Sequence, residues 1–221
     1  GVSSAASDVY KRQPLITAPM DTVVGQDNKD LFKSLKINLC LPRGENFEGG
    51  FISFSLDEIS TLCLGNMLNP EGHYLIDIAN GHMGELKETT KLIKTKYPNL
   101  TLMVGNIANP ETFATLSDAG ADYIRVGIGN GGGCSTTVHT GIGFPMASLI
   151  EECAAIAETL DKPAKIVADG GMQNYSDIIK ALALGADYVM VGSLFNKAIE
   201  SCGDNYLWGK IKVNQSIAQL A

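Results

Sequence analysis

Short apolar segments alternate with helix-like segments from Pro14 onward, and this alternation restricts the possible folds more than any other feature of the chain. Several of the apolar segments contain almost no polar residue, which is typical of strands that are buried on both faces of a sheet. Eight such segments are predicted as strands: 15–20, 38–42, 51–56, 74–79, 100–105, 123–127, 165–168 and 188–192.

Helices are predicted between the later strands, at 85–96, 110–119, 144–160, 175–184 and 195–202. For the second of them, Asn109, Pro110 and Glu111 supply an N-cap, a first-turn proline and a first-turn acid. The sequence Gly-Ala-Asp-Tyr follows two of the helices, at 120–123 and 185–188, and places glycine where each helix ends. Strands that alternate with helices in this way predict a parallel sheet.

Eight strands favour a closed (β/α)₈ TIM barrel, an α/β fold, over an open doubly wound sheet. Only residues 43–50 separate the second and third strands, so an incomplete barrel with a shortened helix is predicted there. Residues 14–221 are assigned to this single barrel domain. Residues 1–13 are small and polar without periodicity, and are assigned to a disordered or non-native leader. In either architecture ligands bind at the carboxyl ends of the strands.

Composition argues against several classes of function. The formal net charge is −7, whereas nucleic acids and anionic membranes are bound by basic patches. No apolar run approaches the roughly 18 residues of a membrane span. The five cysteines are scattered without a Cys-x-x-Cys pair, so neither a disulfide framework nor a zinc site is predicted. Two of the three histidines, His82 and His139, are each either an acid–base group or a surface side chain. A reduced, cytoplasmic protein is expected.

A glycine-rich loop at 126–137 follows the sixth predicted strand and presents Cys134 beside Ser135, Thr136 and Thr137. Glycines let the backbone approach a ligand closely, and the freed carbonyls and amides of such a loop can bind a cation or an anion. A thiol whose pKa falls below its usual value of about 8.5 would be a strong nucleophile there. The alternative is an inert, buried cysteine in a flexible loop.

Two further strand ends are candidates for nucleotide binding. Asp169, after the seventh strand, is suited to binding the vicinal hydroxyls of a ribose, while Gly170 and Gly171 leave amides open to a phosphate. Gly192 and Ser193, after the eighth strand, could complete the phosphate site, because the loops after strands seven and eight bind phosphate in many barrels. Ordinary tight turns are the alternative for both pairs of residues.

Other strand ends supply further candidates. Asp77 could bind a second ribose, although a helix-capping Asp followed by a plain Asn80-Gly81 turn explains the same residues. Asn106 ends the next strand and Met20 ends the first, and both could face the same pocket.

Taken together, these segments resemble the IMP dehydrogenase / GMP reductase family over residues 14 to about 201. The resemblance lies in the order and spacing of several short motifs rather than in any one of them. The motifs are APMDTV (18–23), DIANG (77–81), VGN (104–106), VGIG (126–129) leading to Cys134, TGIGFP (140–145), ADGG (168–171) and VMVGS (189–193).

The resemblance implies a nicotinamide-dependent oxidoreductase that acts on a purine mononucleotide, GMP or IMP. In this family a cysteine attacks C2 of the purine ring and forms a covalent intermediate. GMP reductases then release ammonia and use NADPH to give IMP, whereas IMP dehydrogenases pass hydride to NAD⁺ and hydrolyse the adduct to XMP. The resemblance also implies a homo-oligomer, commonly a tetramer, and a monovalent cation such as potassium.

By position, the resemblance assigns Cys134 as the nucleophile and Thr136 as the catalytic threonine. Asp169 would hold the nucleotide ribose. The other implied roles are substrate binding (Gly170, Gly171, Gly192, Ser193 and Met20), cofactor binding (Asp77, Asn80, Gly81 and Asn106) and cation binding (the carbonyls of Gly129, Gly131 and Cys134).

The sequence also departs from the family pattern. Residues 130–132 (Asn-Gly-Gly) replace a Pro-Gly-Ser segment and so remove a phosphate-binding hydroxyl. Thr137 and Met146 stand where the family usually has Arg and Gln. The chain ends at Ala221, before the region that carries the family's mobile flap, so a fragment or a divergent member is expected.

Asn80-Gly81 and the lack of an inserted regulatory domain pair after the second strand favour GMP reductase, whereas Gly192-Ser193 is more typical of the dehydrogenase. GMP reductase is therefore the expected activity, with IMP dehydrogenase as the alternative. An inactive nucleotide-binding barrel is a further possibility. So is a flavin-dependent barrel oxidoreductase, which can share the ADGG and VMVGS motifs.

Overall fold

The computed structural model describes residues 13–131 and 136–202, together with the backbone of residues 206–207 and 210–211. Eight parallel strands make up the main sheet, and each predicted strand is present, with slightly different ends. They are β1 (Leu15–Thr17), β2 (Leu39–Cys40), β3 (Gly50–Phe54), β4 (His73–Asp77), β5 (Thr101–Ile107), β6 (Tyr123–Val126), β7 (Lys165–Asp169) and β8 (Tyr188–Val191).

The eight strands follow the order β1-β8-β7-β6-β5-β4-β3-β2, which is the order of a (β/α)₈ barrel opened between its first two strands. That gap is nearly closed by a parallel bridge between Ile16 and Asn38. We call this junction between β1 and β2 the seam. The buried hydroxyl of Thr17 strengthens it, because it accepts a hydrogen bond from the amide of Cys40 (2.9 Å) and donates one to the Cys40 carbonyl (3.1 Å). The predicted barrel is therefore confirmed.

Helices lie between the strands and after them. They are α1 (Lys29–Ser34), α2 (Leu56–Leu64), α3 (Gly84–Lys96), α4 (Pro110–Asp118), α5 (Thr136–Thr140), α6 (Met146–Ala157), α7 (Tyr175–Ala183) and α8 (Ser193–Asn196). A short antiparallel pair, β9 (Tyr206–Leu207) and β10 (Lys210–Ile211), follows. Among the described residues, no helix is both long enough and apolar enough to cross a membrane.

Two predicted helices need correction. The helix predicted at 144–160 is shorter, because Pro145 acts as its N-cap and α6 begins only at Met146. The helix predicted at 195–202 is wrong: α8 ends at Asn196 and turns follow it. The chain turns there because the Asn196 carbonyl accepts a hydrogen bond from the hydroxyl of Ser201, and the Glu200 carbonyl accepts one from the side chain of Asn28.

The prediction omitted α1, α2 and α5, and α2 has a readable signal. Ser55 accepts a hydrogen bond from the amide of Glu58, and the Glu58 carboxylate accepts one from the amide of Ser55 (2.7 Å). This reciprocal capping box marks a helix start in sequence. The shortened helix predicted between β2 and β3 is wrong: residues 41–49 contain turns but no helix, because the link is too short for one.

The repeated Gly-Ala-Asp-Tyr sequence has the same structural role at both of its positions. Asp122 accepts a hydrogen bond from the amide of Leu102 on β5 (2.7 Å), and Asp187 accepts one from the amide of Ile166 on β7 (2.9 Å). In each case an aspartate just before one strand ties the amino end of its neighbour. The repeat therefore stabilises the end of the barrel opposite to the expected ligand site.

The barrel interior is a separate apolar cluster from the layer between strands and helices. It contains Ile16, Ala18, Cys40, Phe51, Leu75, Met103, Val167 and Met190. Side chains alternate along each strand, and Tyr123 packs on this interior cluster while Ile124 and Val126 belong to the outer layer. Alternation therefore directs the next inward residue of β6, Arg125, into the barrel at its carboxyl end.

Candidate active site

Four neighbouring strands each contribute one polar side chain at the carboxyl end of the barrel. Asp77 ends β4, Asn106 lies near the end of β5, Arg125 lies on β6, and Asp169 ends β7. Parallel strands bring their carboxyl ends to one edge, so these four side chains meet although the outer two are far apart in sequence.

The guanidinium of Arg125 holds both carboxylates. Its Nη1 donates to Oδ1 of Asp77 (2.6 Å), and its Nη2 and Nε donate to Oδ2 of Asp169 (2.8 and 3.2 Å). Burial by itself lowers the pKa of Arg125, but the charges of Asp169 and Asp77 outweigh it, and the net effect raises the pKa. The guanidinium therefore stays charged inside the barrel.

Asp169 has one occupied and one open oxygen. Its Oδ2 accepts from Arg125 and also from Nδ2 of Asn106 (2.7 Å). Within the described part of the chain, Oδ1 of Asp169 has no hydrogen-bond partner, and the residue lines a cavity. The carboxylate is thus fixed through one oxygen and presents the other to a ligand.

Asn106 is held in the same way. Its Nδ2 donates to the carbonyl of Gly127 (2.8 Å) as well as to Asp169, so both hydrogens of the amide are used. The side-chain carbonyl Oδ1 is left as an acceptor toward the cavity, which Asn106 lines.

Arg43, in the link between β2 and β3, covers Asp77 from the outside. It donates to the backbone carbonyl of Asp77, and its Nε lies 3.6 Å from Oδ2 of the same residue. The side chain of Arg43 is 47% exposed, against 8% for Arg125. Asp77 therefore lies between a buried and an exposed arginine.

The cavity above these residues has a volume of about 390 Å³, within the range of small-molecule sites. Its lining is drawn from the ends of several strands and from the glycine-rich loop: Arg43, Asp77, Ile78, Ala79, Asn106, Arg125, Gly127, Ile128, Gly129, Asn130, Gly131, Thr136, Asp169 and Gly170.

Close backbone contacts join the glycine-rich loop to the Asp-Gly-Gly turn. A Cβ at Gly127 (φ +122°) would lie 2.3 Å from the carbonyl oxygen of Asp169. A Cβ at Gly170 (φ +108°) would lie 3.0 Å from the amide nitrogen of Gly131. Both positions combine a positive φ with no room for a side chain, so only glycine fits.

Cys134, the predicted nucleophile, lies outside the described residues. The described residues nearest to it on either side, Gly131 and Thr136, both line the cavity. Gly131 and Thr136 thus lie on the same rim as Asp169 and Gly170, and the role of Cys134 stays a prediction. The predicted cation site includes the carbonyl of Cys134 and so is described only at Gly129 and Gly131.

The predicted phosphate residues lie beside one another at the ends of β7 and β8. The hydroxyl of Ser193 donates to the carbonyl of Met172 (3.2 Å), which follows the Gly170-Gly171 pair. A Cβ at Gly192 would lie 3.4 Å from the sulfur of Met20. Met20, Gly192 and Ser193 therefore adjoin the turn after β7, although they do not line the 390 Å³ cavity.

Asn80 and Gly81 are not among the residues that line this cavity. The Asn80 side chain accepts a hydrogen bond from the amide of His82, and the amide of Gly81 donates to the carbonyl of Asn106 (2.7 Å). These residues form the turn that packs β4 against the end of β5. Their predicted cofactor contacts remain predictions.

His82 contacts protein groups through both ring nitrogens. Nε2 accepts from the amide of Ala108 (3.0 Å), so Nδ1 carries the hydrogen and donates to the hydroxyl of Thr112 (2.8 Å). Burial lowers its pKa, which favours this neutral form. Of the two alternatives left open for His82, the structure supports the surface side chain, which is exposed and bonds α4 and the segment before it.

The sequence prediction missed Arg125 and Arg43. Arg125 had a usable signal, because it is a lone charge within Tyr-Ile-Arg-Val, a strand expected to be buried on both faces. Charged residues are almost never fully buried unless they are paired, so this one implied carboxylate partners. Arg43 lies in a loop, where a charge carries no such implication.

Comparison with known proteins agrees with this geometry. Residues 73–216 match the family model described as the IMP dehydrogenase / GMP reductase domain. Inosine-5'-monophosphate dehydrogenase of Staphylococcus haemolyticus is 44% identical over 223 residues, which cover 89% of this chain and 45% of that protein. The enzyme of the same name from Chlorobaculum parvum is 45% identical over 133 residues, which cover 60% of this chain and 26% of that protein.

The chain spans less than half the length of these relatives. The match nevertheless includes β4 to β8 and all four polar side chains at their ends. The chain therefore belongs to the IMP dehydrogenase / GMP reductase family.

Proposed function

We propose that the protein oxidises IMP to XMP with NAD⁺: IMP, NAD⁺ and water give XMP, NADH and a proton. The observation that carries the proposal is the shared cavity, where the open oxygen of Asp169 lies on the same rim as the two ends of the Cys134 loop. A mononucleotide held at Asp169 would extend its base toward that loop.

The choice of the dehydrogenase revises the expectation from sequence, which was GMP reductase. The relatives compared here carry the name inosine-5'-monophosphate dehydrogenase, and Gly192-Ser193 is the pattern typical of that activity. GMP reductase stays as the second candidate because of Asn80-Gly81. NAD⁺ accordingly replaces NADPH as the first cofactor to test.

In this proposal Asp169 accepts a hydrogen bond from a ribose hydroxyl through its free Oδ1. The amides of Gly170 and Gly171, with Gly192 and Ser193, bind the phosphate. The Ser193 hydroxyl donates to the Met172 carbonyl, so it must rotate to donate to phosphate. Backbone amides therefore carry most of the phosphate binding, which suits a chain with a net charge of −7.

The other half of the cavity fits the nicotinamide end of a cofactor. Oδ1 of Asn106 is an acceptor without a partner among the described residues, and it suits the amino group of a carboxamide. The carboxylate of Asp77 suits a ribose hydroxyl, and it lines the cavity near Arg43. When bound, NAD⁺ supplies the hydride acceptor.

The chain's own residues supply the remaining chemistry. The thiolate of Cys134 attacks C2 of the purine and forms a carbon–sulfur bond, and C2 then loses hydride. Water attacks the same carbon, the carbon–sulfur bond breaks, and Cys134 is restored as XMP forms. Thr136 lines the cavity, and in this proposal its hydroxyl hydrogen-bonds the water.

A monovalent cation and a homo-oligomer belong to the proposal as further predictions. The carbonyls of Gly129 and Gly131 lie at the cavity edge and can coordinate potassium together with that of Cys134. A tetramer, implied by the family resemblance, and a cytoplasmic location, expected from the scattered cysteines, belong to the proposal as well.

The test is a pair of assays on the same preparation, followed at 340 nm. With IMP and NAD⁺, the absorbance should rise as NADH forms, together with XMP. With GMP and NADPH, the absorbance should fall as NADPH is oxidised only if the protein is a reductase. Mass spectrometry after quenching should detect a nucleotide adduct on Cys134 that is absent from Cys134→Ala. Binding of IMP without turnover in either assay would instead favour the inactive nucleotide-binding barrel.

A further inference from the structure

Arg125 lies where the two halves of the proposed site meet, and no sequence motif assigned it a role. Asp169, on β7, belongs to the half proposed for the nucleotide. Asp77, on β4, belongs to the half proposed for the cofactor. Both carboxylates are bound by the one guanidinium, at 2.8 and 2.6 Å.

This bridge depends on the shape of the arginine side chain. A guanidinium is planar and presents its donors in a fixed fork, so Nη1 can point to one carboxylate while Nε and Nη2 point to the other. Lysine carries the same charge at a single atom and cannot reproduce both directions. The interaction therefore joins the positions of Asp77 and Asp169 and does more than neutralise them.

Arg125 lines the cavity, but it is the most deeply buried of the three charged side chains. Its side chain is only 8% exposed, whereas that of Asp77 is 29% exposed and that of Asp169 is 17% exposed. A ligand in the cavity meets the carboxylates before it meets the guanidinium. Asn106 adds to the same network, because its amide donates to the oxygen of Asp169 that Arg125 binds.

We propose that Arg125 is a positioning residue that couples nucleotide binding at Asp169 to cofactor binding at Asp77. A nucleotide that fixes Asp169 also fixes the guanidinium, and the guanidinium in turn fixes the carboxylate of Asp77. Binding of the first ligand then accounts for the loss of conformational entropy in these three side chains. The second ligand loses less entropy on binding and therefore binds more tightly. This inference rests on the proposed function, since it takes the two ligands to be a purine mononucleotide and a nicotinamide dinucleotide.

The coupling can be measured with IMP and NADH. These two ligands cannot react together, because IMP already has hydrogen at C2 and NADH has no capacity to accept hydride. Calorimetric titration gives the Kd of NADH without IMP and with saturating IMP. The ratio of the two values is the coupling factor, which for coupled sites is typically roughly 5 to 150.

The variants are Arg125→Lys, which keeps the charge, and Arg125→Gln, which removes it. Both should lower the coupling factor to within about twofold of one, because neither side chain can hold both carboxylates. The apparent Kd equals the intrinsic Kd divided by the folded fraction, and a saturating first ligand would refold a partly unfolded variant. The titrations are therefore run well below the Tm of each variant, where a partial loss of stability leaves the folded fraction near one. Thermal unfolding of each variant reports that loss separately.

Arg43→Gln is the matched control, since Arg43 contacts Asp77 but not Asp169. It should weaken NADH binding equally with and without IMP and leave the coupling factor at the wild-type value. A wild-type protein that binds both ligands without coupling would overturn the inference and leave the proposed function standing. So would Arg125 variants that retain the wild-type factor.

Two other outcomes are also decisive. If both Arg125 variants lose binding of both ligands and unfold at a much lower Tm, Arg125 has a structural role and the coupling role is rejected. If the wild-type protein binds no IMP, the proposed function and the inference fail together.

Discussion

The carboxylate of Asp169 and the guanidinium of Arg125 are joined by two hydrogen bonds, of 2.8 and 3.2 Å, that both end on the same oxygen. The pairing leaves the second oxygen of Asp169 open at the cavity surface. Asp169 thus binds Arg125 of the barrel through Oδ2, and its Oδ1 is free to bind the proposed ligand.

Asp169→Asn should weaken binding of IMP by roughly 10- to 100-fold, since a hydrogen bond to a charged group contributes about 1.5–3 kcal/mol. The variant also removes the charge that pairs with Arg125, so its free energy of unfolding should fall. Calorimetric titration with IMP and urea unfolding measure the two effects.

Asp187→Asn provides the comparison for Asp169. Asp187 accepts a hydrogen bond from the backbone amide of Ile166 on β7, at the opposite end of the barrel. The Asp187→Asn variant should have a lower free energy of unfolding and an unchanged affinity for IMP. An equal loss of affinity in both variants would mean that Asp169 acts only through the fold.

Thr17→Val tests how the barrel closes. The change keeps the shape of the side chain but removes the hydroxyl that bonds both the amide and the carbonyl of Cys40. Leaving buried groups without partners costs about 1–3 kcal/mol each, so the free energy of unfolding should fall by at least about 1 kcal/mol. Urea titration followed by circular dichroism measures it.

Thr95→Val is the control for this change. Thr95 is exposed on α3, and its hydroxyl donates to the carbonyl of Lys91 (2.7 Å). Water can replace that bond, so the substitution should change stability by no more than about 0.5 kcal/mol. Equal effects at Thr17 and Thr95 would show that the seam is not held by the Thr17 hydroxyl.

Gly170→Ala tests the contact between the Asp-Gly-Gly turn and the glycine-rich loop. The new Cβ would lie 3.0 Å from the amide nitrogen of Gly131, so the loop that leads to Cys134 must move. A misplacement of about 1 Å at a reacting group can cost on the order of 100-fold in kcat, and the smaller shift needed here should cost roughly 3- to 10-fold. We expect that loss in the IMP oxidation assay.

Gly44→Ala separates the steric effect at Gly170 from the cost of a positive φ. Gly44 has φ +86°, but a Cβ there would meet nothing within 4 Å. It should lower stability by about 1–2 kcal/mol and leave kcat unchanged. If Gly170→Ala keeps wild-type activity, the turn does not position the loop.

Thiol reactivity should differ sharply among the cysteines. Burial raises the pKa of Cys40 to about 12 and that of Cys153 to about 12, so both hold their protons far above pH 8. The thiolate is the reactive form, and neither residue should be alkylated by iodoacetamide in the folded protein. Peptide mapping by mass spectrometry after labelling at pH 8 measures each site.

Under the proposed function Cys134 should be labelled first, and IMP should protect it. Inosine, which is IMP without its phosphate, should not protect Cys134 from labelling when it is used at the same concentration as IMP. Rapid labelling of Cys40 or Cys153 at pH 8 would contradict the burial that raises their pKa values. Their thiolate fractions should grow only as the pH rises toward those values.

Much of the barrel could be predicted from local pattern. Each strand is an apolar run that ends near a glycine or an aspartate, and such runs are readable because burial on both faces excludes polar residues. The same pattern places Asp77 and Asp169 at strand ends, and parallel strands bring those ends to one rim. The omission of α2 was avoidable, since the capping box Ser55-x-x-Glu58 was present in the sequence.

The ion pairs of Arg125 with the two carboxylates could not be predicted from local pattern. Asp77 and Asp169 lie 48 and 44 residues from Arg125, and no local period relates them. Only closure of the sheet brings β4, β6 and β7 close enough for one guanidinium to reach both carboxylates. Asn80 is a different case, because its side chain accepts a hydrogen bond from the amide of His82 only two residues away, and such a local turn was one of the two interpretations of the sequence.

The sequence by itself therefore determined the order of the strands along the chain and the end of the barrel at which polar residues gather, because these depend on burial and on chain direction. The tertiary structure decided which oxygen of Asp169 is open, that Arg125 joins the two halves of the site, and that Gly170 touches the loop before Cys134. These depend on distances between segments remote in sequence, and such distances exist only after the barrel has closed.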